Sequence, residues 1–260
     1  MAVEALDEAA AISADLIALY IPMHTATRMA AELLPRLRTM NPAAHINCYG
    51  LYGPVNSNYL KSLGADSVVG GEFEGPLVDL ARGLLAGNAP SVPLVSLAKQ
   101  VFQVPRRSDL PALSHYGKLN DGRDGSVVAG YTEASRGCKH TCLHCPVVPV
   151  YKGKFRIVQR DVVMADIRNQ VAAGARHITF GDPDFFNGPA HAMALVQSVA
   201  DEFPGLTYDV TIKVEHLLRH ADLLPTLVAT GCVFVTTAVE AVDDNILAIL
   251  DKGHTVDDFH

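Results

Sequence analysis

The stretch Tyr131-Thr-Glu-Ala-Ser-Arg-Gly-Cys-Lys-His-Thr-Cys-Leu-His-Cys-Pro146 decides how the chain is interpreted. Its first five residues predict a β-strand that runs into a loop with three cysteines at the spacing C-x3-C-x2-C. Three thiolates this close together can hold a [4Fe–4S] cluster by three of its irons. The fourth iron would have no protein ligand, and an open coordination position is typical of catalytic metals. We therefore interpret Cys138, Cys142 and Cys145 as cluster ligands.

A βα repeat follows the cysteine loop. Further strands are predicted at 176–180, 206–212 and 232–237, and helices at 161–173 (capped by Asp161), 187–200, 217–228 and from 243 onward. This alternation predicts a parallel (β/α) barrel or partial barrel. A complete eight-unit barrel needs about 250 residues, and only four units fit between residue 130 and the last residue. We therefore expect a barrel that is truncated at its C-terminus, with an open edge that promotes self-association.

The region before the cysteine loop has its own βα pattern. It predicts strands at 15–21, 45–49 and 66–69, and helices at 25–39 (with Met29 on the buried face), 55–63 and 74–85. This order is typical of an open, Rossmann-like parallel sheet. Residues 89–129 contain several prolines and predict a linker or wrapping segment with little regular structure. The sequence thus predicts an α/β protein with a parallel-sheet domain at 1–88, this linker, and a partial barrel at 130–260.

Polar residues follow three of the predicted barrel strands. They are Gly181-Asp182-Pro183-Asp184 after the second strand, Lys213-Val-Glu215-His216 after the third and Glu240 after the fourth. Functional groups of parallel βα folds gather at the C-terminal ends of the strands. We therefore expect these residues and the cysteine loop to meet at one mouth of the barrel.

This set of motifs resembles the radical S-adenosylmethionine (SAM) enzymes, and the resemblance implies roles for individual residues. Gly181, Asp182 and Pro183 stand at the family's Gly-Gly-Glu motif, whose backbone receives the methionyl amino group of SAM. Glu240 corresponds to the polar residue that binds the ribose hydroxyls, and His144 corresponds to an aromatic residue that contacts adenine. Lys213, Glu215 and His216 are the catalytic candidates, and Asp182 and Asp184 are weaker candidates for function. Arg136, beside the cysteines, is either a surface charge or a residue that tunes the cluster's potential.

The resemblance extends to a subgroup and to the N-terminal region. The stretches from Tyr131, His177 and Lys213 are similar to the radical SAM subgroup named for a Cys/Sec-Cys/Sec-Ala-Glu-Pro tail. Gly70-Gly-Glu-Phe-Glu-Gly75 resembles a segment of the cobalamin-binding domains that precede many such barrels. The Asp-x-His-x-x-Gly motif for the lower cobalt ligand is missing, and His24 stands without it. Cobalamin is therefore possible but not favoured.

The implied activity is reductive cleavage of SAM to a 5′-deoxyadenosyl radical that acts on an unknown small-molecule substrate. The resemblance also implies an external electron donor of the flavodoxin or ferredoxin type. An alternative is cleavage of another C–S bond, with transfer of the 3-amino-3-carboxypropyl group, for example to a soft atom such as arsenic. An alternative of another class is a structural zinc site with His140 or His144 as the fourth ligand. A truncated chain can also be inactive alone.

Composition limits the partners. The formal net charge of −7 without a Lys/Arg run disfavours a nucleic-acid partner. The acidic N-terminus does not resemble a secretory signal, and no stretch of about 18 apolar residues predicts a membrane span. Cys48 and Cys232 lie in apolar strand-like runs and are expected to be core residues. These features and the thiolate ligands predict a cytoplasmic protein.

Overall fold

The computed structural model describes residues 5–88, 90–120 and 125–259. The chain divides into two compact units. The first unit extends to Gln100 and also includes Cys145–Lys152, and the second includes Val101–His144 and the chain from Gly153 onward.

The first unit is built on a parallel sheet. Its described strands lie in the order β1-β2-β3-β4, with bounds Leu16–Tyr20, His45–Tyr49, Ser67–Gly71 and Val95–Ser96. The helices are α1 (Glu8–Ser13), α2 (His24–Met40), α3 (Tyr52–Val55), α4 (Ser57–Ser62), α5 (Glu74–Leu85) and α6 (Val147–Tyr151). The three strands and the helices at 25–39 and 74–85 predicted from the sequence are confirmed. Strand β4 and helix α6 were not predicted.

Two details of the first unit differ from the prediction. Met29 is 53% exposed, because the buried stripe of α2 runs through Ala30, Leu34 and Leu37, one position round the helix from Met29. The helix predicted at 55–63 is two short helices, because the backbone at Asn56 leaves the helical region between α3 and α4. The residues that α2 buries pack with buried side chains of β2, including Cys48, which is a core residue as predicted.

The second unit carries a mixed sheet. Its described strands lie in the order β11-β10-β9-β6-β5, and a separate two-stranded sheet joins β7 to β8. The bounds are β5 Lys118–Asn120, β6 Ser126–Thr132, β7 Ser135–Gly137, β8 Phe155–Ile157, β9 His177–Phe180, β10 Thr207–Thr211 and β11 Cys232–Thr236. Strands β6, β9, β10 and β11 are parallel, as expected for four barrel units, and β5 pairs antiparallel to β6.

The first barrel strand begins earlier than predicted. Strand β6 starts at Ser126, pairs with β9 from Ala129 to Thr132, and ends where the chain leaves the sheet at Glu133. The prediction of one strand over Tyr131–Ser135 was therefore wrong, because these residues are divided between β6 and β7. The wrapping segment is largely irregular as predicted, but it also provides β4 and β5 and a 3-10 turn at Leu113–His115.

Five helices are described in the second unit. They are α7 (Arg160–Ala172), α8 (Pro189–Glu202), α9 (Val214–Arg219), α10 (Leu224–Ala229) and α11 (Asp244–Ile249), with 3-10 turns at Phe185–Asn187, Ala221–Leu223 and Val256–Phe259. Asp161 does not cap α7 as predicted, because Gln159 is the N-cap and makes no side-chain capping bond. The helix predicted at 217–228 is divided among two short helices and a turn.

The core of the second unit lies between β9 and β10 and the helices α7 and α8. Phe180, Tyr208, Ile167 and Leu195 are each at most 2% exposed and belong to one cluster. Cys232 packs against this cluster but remains partly exposed, which differs from the prediction of a fully buried residue. None of the helices in the described residues is both long and apolar enough to cross a membrane.

Candidate functional site

The cysteine loop begins directly after β7, because Cys138 follows the last residue of that strand. This is six residues beyond the end of β6, so the loop does not follow the first parallel strand directly, as the sequence predicted. Cys142 is buried, whereas Cys138 and Cys145 are partly exposed, and none of the three is in a disulfide. Cys145 is the first residue of the segment that packs within the first unit.

The loop after β9 holds the chain on both sides of Cys138. Asp182, which is 3% exposed, accepts hydrogen bonds from the Ala134 backbone N–H (2.9 Å) and the Ser135 hydroxyl (2.5 Å). The Oδ1 atom of Asn187 accepts a hydrogen bond from the Lys139 backbone N–H at 3.0 Å. Asp182 and Asn187 therefore fix the chain before and after Cys138.

The Asp182 carboxyl group thus accepts hydrogen bonds from two residues that precede the cysteine loop. Burial raises the pKa of Asp182 to about 7, although the hydrogen bonds from Ser135 and Ala134 act in the opposite direction. Gly181 precedes it and lies under the Tyr131 ring, since a Cβ atom at Gly181 would come within 1.7 Å of the Tyr131 hydroxyl oxygen. Pro183 is exposed on the same loop.

Three titratable residues converge beside Cys138. Asp184 Oδ2 lies 2.7 Å from His216 Nδ1 and 3.4 Å from His140 Nε2. Burial acts to raise the pKa of Asp184, but the contacts with His140 and His216 outweigh it and hold this pKa below its ordinary value. Ligand atoms of Cys138, His140 and Asp184 all lie within 4.8 Å of one another. The structure thus brings His216 and Asp184 to the cysteine loop.

Lys213 and Glu215 lie on the other side of His140. Lys213 Nζ is 3.0 Å from Glu215 Oε2 and 3.1 Å from His140 Nδ1. Glu215 also accepts a hydrogen bond from Arg219 at 2.5 Å. Burial acts to raise the pKa of Glu215, and the interaction with Lys213 is the first of those that hold it below its ordinary value. The catalytic candidates therefore form one connected group.

Glu240 and His144 are also brought together. Glu240 Oε1 lies 3.1 Å from His144 Nε2 and 3.4 Å from Nζ of the buried Lys252. Glu240 has a positive φ of 72°, a conformation that a non-glycine residue adopts infrequently and that is enriched at functional sites. The two residues to which the sequence assigned the ribose and the adenine are therefore neighbours.

Some residues at this site were not predicted from the sequence. Leu250 accepts a hydrogen bond from the Leu143 backbone (3.1 Å), and Asp251 accepts one from Thr141 (3.1 Å), so the chain after α11 contacts the cysteine loop. No local pattern indicates contacts over more than 100 residues. Asn187 could have been found, because it lies on the same loop as Asp182 and Asp184.

The strand ends of the first unit are aromatic. Tyr49 at the end of β2 lies between Tyr20 and Phe73, with ring centroids 5.1 and 4.9 Å away. The buried Glu72 accepts a hydrogen bond from the Tyr151 hydroxyl at 3.3 Å. Gly71 has a φ of +74°, and a Cβ atom there would come within 2.1 Å of the Ser96 carbonyl oxygen, which explains the glycine at the end of β3. His24 is the exposed first residue of α2.

Comparison with known proteins identifies the domain at residues 132–259. The family model of the radical SAM superfamily matches residues 132–259. The tRNA-2-methylthio-N(6)-dimethylallyladenosine synthase of Chlorobium chlorochromatii (strain CaD3) is 25% identical over 199 residues, which cover 71% of this chain and 42% of that protein. The bacteriochlorophyllide d C-12(1)-methyltransferase of Chlorobaculum tepidum is 24% identical over 202 residues, covering 74% and 41%. The chain spans less than half the length of these relatives.

Solved structures share the fold over nearly the whole chain. The radical SAM methyltransferase TsrM of Kitasatospora setae, with tryptophan and a SAM analogue bound, has a TM-score of 0.71 at 19% identity, over 94% of this chain and 53% of that one. The cobalamin-dependent SAM radical enzyme OxsB, with aqua-cobalamin and SAM bound, has a TM-score of 0.70 at 14% identity, over 94% and 38%. The prediction of a radical SAM enzyme domain is confirmed, and this superfamily implies a [4Fe–4S] cluster and SAM as cofactors.

Proposed function

We propose, because residues 132–259 form a radical SAM superfamily domain, that the protein cleaves SAM reductively at a [4Fe–4S] cluster held by Cys138, Cys142 and Cys145. The observation that carries this proposal is the C-x3-C-x2-C loop directly behind β7, with its backbone fixed on both sides of Cys138 by the loop after β9. When bound, the cluster supplies the electron that breaks a C–S bond of SAM and releases a 5′-deoxyadenosyl radical, which takes hydrogen from a substrate.

The residues present fit such a cluster. Three cysteines in one short loop provide thiolate ligands for three irons and leave the fourth iron to SAM. Beside Cys138, the buried Nδ2 atom of Asn187 has no hydrogen-bond partner among the described residues. Buried donors of this kind are costly unless an acceptor is present. Cluster sulfides and thiolates are acceptors, so the polar surroundings of Cys138 suit this group.

The remaining predicted residues bind and orient SAM in this proposal. Glu240 accepts the ribose hydroxyls, and His144, 3.1 Å away, contacts the adenine. The backbone of Gly181 and Pro183 receives the methionyl amino group. Asp182 supports this site by holding Ala134 and Ser135, since its carboxyl oxygens are engaged there.

We assign Lys213, Glu215 and His216 to the substrate side of the site. Lys213 Nζ contacts both His140 Nδ1 and Glu215 Oε2, so a proton can move between an amine, an imidazole and a carboxylate. His216 is held by Asp184, which fixes the orientation of its ring. These residues would position a substrate and exchange protons with it.

The substrate is proposed to be a small molecule. Three relatives act on tRNA by name, but the net charge of −7 here disfavours a nucleic-acid backbone. We further propose an external flavodoxin- or ferredoxin-type electron donor and membership of the subgroup with the Cys/Sec-Cys/Sec-Ala-Glu-Pro tail.

We propose that residues 1–88 form a Rossmann-like domain related to cobalamin-binding domains, joined by 89–129 to the barrel at 130–260. The parallel order of β1 to β3 supports the relationship. The aromatic strand ends and the exposed His24 do not favour cobalamin as a cofactor here, although OxsB, which has the same fold, binds aqua-cobalamin. Titration with hydroxocobalamin, followed by its absorption spectrum, tests this point.

The test of the function is product analysis under anaerobic conditions. The protein is reduced with dithionite, supplied with SAM, and its products are separated by liquid chromatography and mass spectrometry. 5′-Deoxyadenosine is expected in the wild type and in Cys232→Ser, and none in Cys142→Ser. Methylthioadenosine as the main product would instead support transfer of the 3-amino-3-carboxypropyl group.

A zinc site is the second candidate, because Cys138, His140 and Asp184 lie close enough to share one ion. Thiolate, imidazole and carboxylate are all zinc ligands. About one zinc per chain and no acid-labile sulfide in anaerobically purified protein would support this alternative and contradict the radical chemistry.

A further inference from the structure

The side-chain amide of Asn187 stands out beside the cysteine loop. Asn187 is the last residue of the 3-10 turn Phe185–Asn187 and is 0% exposed. Its Oδ1 atom accepts the hydrogen bond from the Lys139 backbone N–H and lies 3.7 Å from Cys138 Sγ. The amide group is therefore both fully buried and directly beside the first cysteine sulfur.

The other end of this amide is a donor that lacks an acceptor. Nδ2 of Asn187 has no hydrogen-bond partner among the described residues. A flip of the amide does not resolve this, because the Lys139 N–H requires the oxygen where it is. A fully buried NH2 group without an acceptor is costly, so its retention calls for an acceptor that the protein chain does not provide.

A bound cluster would supply that acceptor. As an iron ligand, Cys138 is a thiolate and can only accept hydrogen bonds, and the bridging sulfides are acceptors as well. The donor of the Asn187 amide is Nδ2, which belongs to the same amide group whose Oδ1 lies 3.7 Å from Cys138 Sγ. Hydrogen bonds to the sulfurs of iron–sulfur clusters disperse negative charge and raise the reduction potential.

We propose that Asn187 is a positioning and tuning residue of the cluster. Its Oδ1 fixes the backbone after Cys138, and its Nδ2 donates a hydrogen bond to a cluster sulfide adjacent to Cys138. This inference rests on the proposed function, since it requires a cluster on these cysteines. It assigns to the loop after β9 a contact with the cluster itself, in addition to the contact with SAM that the sequence implies for Gly181–Pro183.

Two variants separate the donor from the acceptor of the amide. Asn187→Asp keeps an oxygen for the Lys139 N–H, loses the donor and adds a negative charge, whereas Asn187→Ala loses both groups without adding charge. Asn245→Asp, on α11, is the matched control for the exchange of amide for carboxylate. Each protein is reconstituted anaerobically, and its cluster is quantified by iron and sulfide before any comparison.

The first measurement is a redox titration followed by electron paramagnetic resonance (EPR). Both Asn187 variants are expected to show a lower midpoint potential, so that the ratio of reduced to oxidised cluster at a fixed potential falls about two- to tenfold, the range that one hydrogen bond provides. Asn245→Asp is expected to match the wild type. An unchanged potential in Asn187→Ala, with only Asn187→Asp lowered, would show a charge effect alone and overturn the donor role.

The second measurement begins with the wild-type protein, whose result alone can overturn the inference. Protein with 15N in its asparagine side-chain amides is reduced, and pulsed EPR is used to detect a 15N hyperfine coupling to the cluster. The inference predicts a coupling in the wild type that disappears in Asn187→Ala. An intact cluster without this coupling would overturn the inference and leave the proposed function standing, whereas protein that binds no iron and sulfide would overturn both.

Discussion

The two parallel sheets of this chain carry different side chains at the ends of their strands. In the first unit, Tyr20, Tyr49 and Phe73 pack against one another, with ring centroids 4.9 to 5.9 Å apart. In the second unit, the loop after β9 and helix α9 after β10 carry charged and histidine side chains such as Asp184 and His216, which are in contact. The same strand arrangement therefore supports apolar packing in one unit and polar chemistry in the other, because the loop residues decide what a fold can do.

This difference predicts that the two sets of strand ends respond separately to mutation. Changes in the aromatic cluster should alter stability and leave the cluster site intact. Changes at the polar site should alter cofactor binding with smaller effects on stability. A variant at one set of strand ends that produced the effect expected of the other set would contradict this comparison.

The largest effect is expected from Cys142→Ser. A serine hydroxyl is a poor substitute for a thiolate ligand, so iron and acid-labile sulfide should fall from about four of each per chain to a small fraction. Colorimetric iron and sulfide analysis after anaerobic reconstitution measures this. Cys232→Ser, a cysteine outside the loop, should retain the full content, and equal loss in both variants would mean that the loop is not the specific site.

The next effect is a pH dependence of stability due to Asp182. Burial raises the pKa of its carboxyl to about 7 in the folded chain, against an ordinary value of 3.8. The folded state therefore keeps a proton that the unfolded state loses, so its stabilising contribution is full below about pH 4 and falls as the pH rises to about 7. The change amounts to roughly 1–4 kcal/mol.

Urea denaturation of wild type and Asp182→Asn between pH 4 and 8 measures this contribution. The variant has no titrating group at this position, so its free energy of unfolding should decline less over the interval than that of the wild type. If the free energies of unfolding of the two proteins changed in parallel with pH, Asp182 would ionise normally, and this result would contradict its buried environment.

A smaller loss of stability is expected from Phe73→Ala in the first unit. Removal of a partly buried ring with two aromatic neighbours should lower the free energy of unfolding by about 1–3 kcal/mol. The iron content should stay at the wild-type level, because the ring belongs to the apolar strand ends. Urea denaturation measures the free energy of unfolding, and iron analysis on the same preparation measures the iron content. A loss of iron at unchanged stability would contradict this prediction.

The smallest effect on stability is expected from Glu240→Gln at the polar strand ends. Loss of the carboxylate removes a charged acceptor for the ribose hydroxyls, so SAM should bind about three- to tenfold more weakly. The free energy of unfolding should change by only about 1 kcal/mol, because the glutamine oxygen can still accept the hydrogen bond from the buried Lys252 Nζ. Equilibrium dialysis with labelled SAM measures the affinity, and unchanged binding would remove Glu240 from the SAM site.

The sequence predicted the elements with a clear period. Strand His45–Tyr49 and helix Glu74–Leu85 have the predicted bounds, since alternating and amphipathic patterns of this length are distinctive. The short elements β7, β8 and α6 were missed, because three to five residues do not establish a period. Pairing partners far along the chain determine such elements.

The candidate site was predictable as a list of residues and not as a set of contacts. The rule that parallel strand ends converge placed Asp184, Lys213 and His216 together, and they do lie around His140. The partners of Asp182 were not predictable, because they lie 47 and 48 residues away. The approach of Lys252 to Glu240 depends in the same way on how the chain turns after α11.

The central claim is that the three-cysteine loop holds a cluster whose open iron binds SAM. Electron–nuclear double resonance of the reduced, anaerobically reconstituted protein, with 15N in the amino group and 17O in the carboxylate of SAM, tests it most directly. The account predicts hyperfine couplings from both labels to the cluster, because the amino and carboxylate groups would occupy the iron that lacks a cysteine. An intact cluster with SAM present and neither coupling would contradict the account.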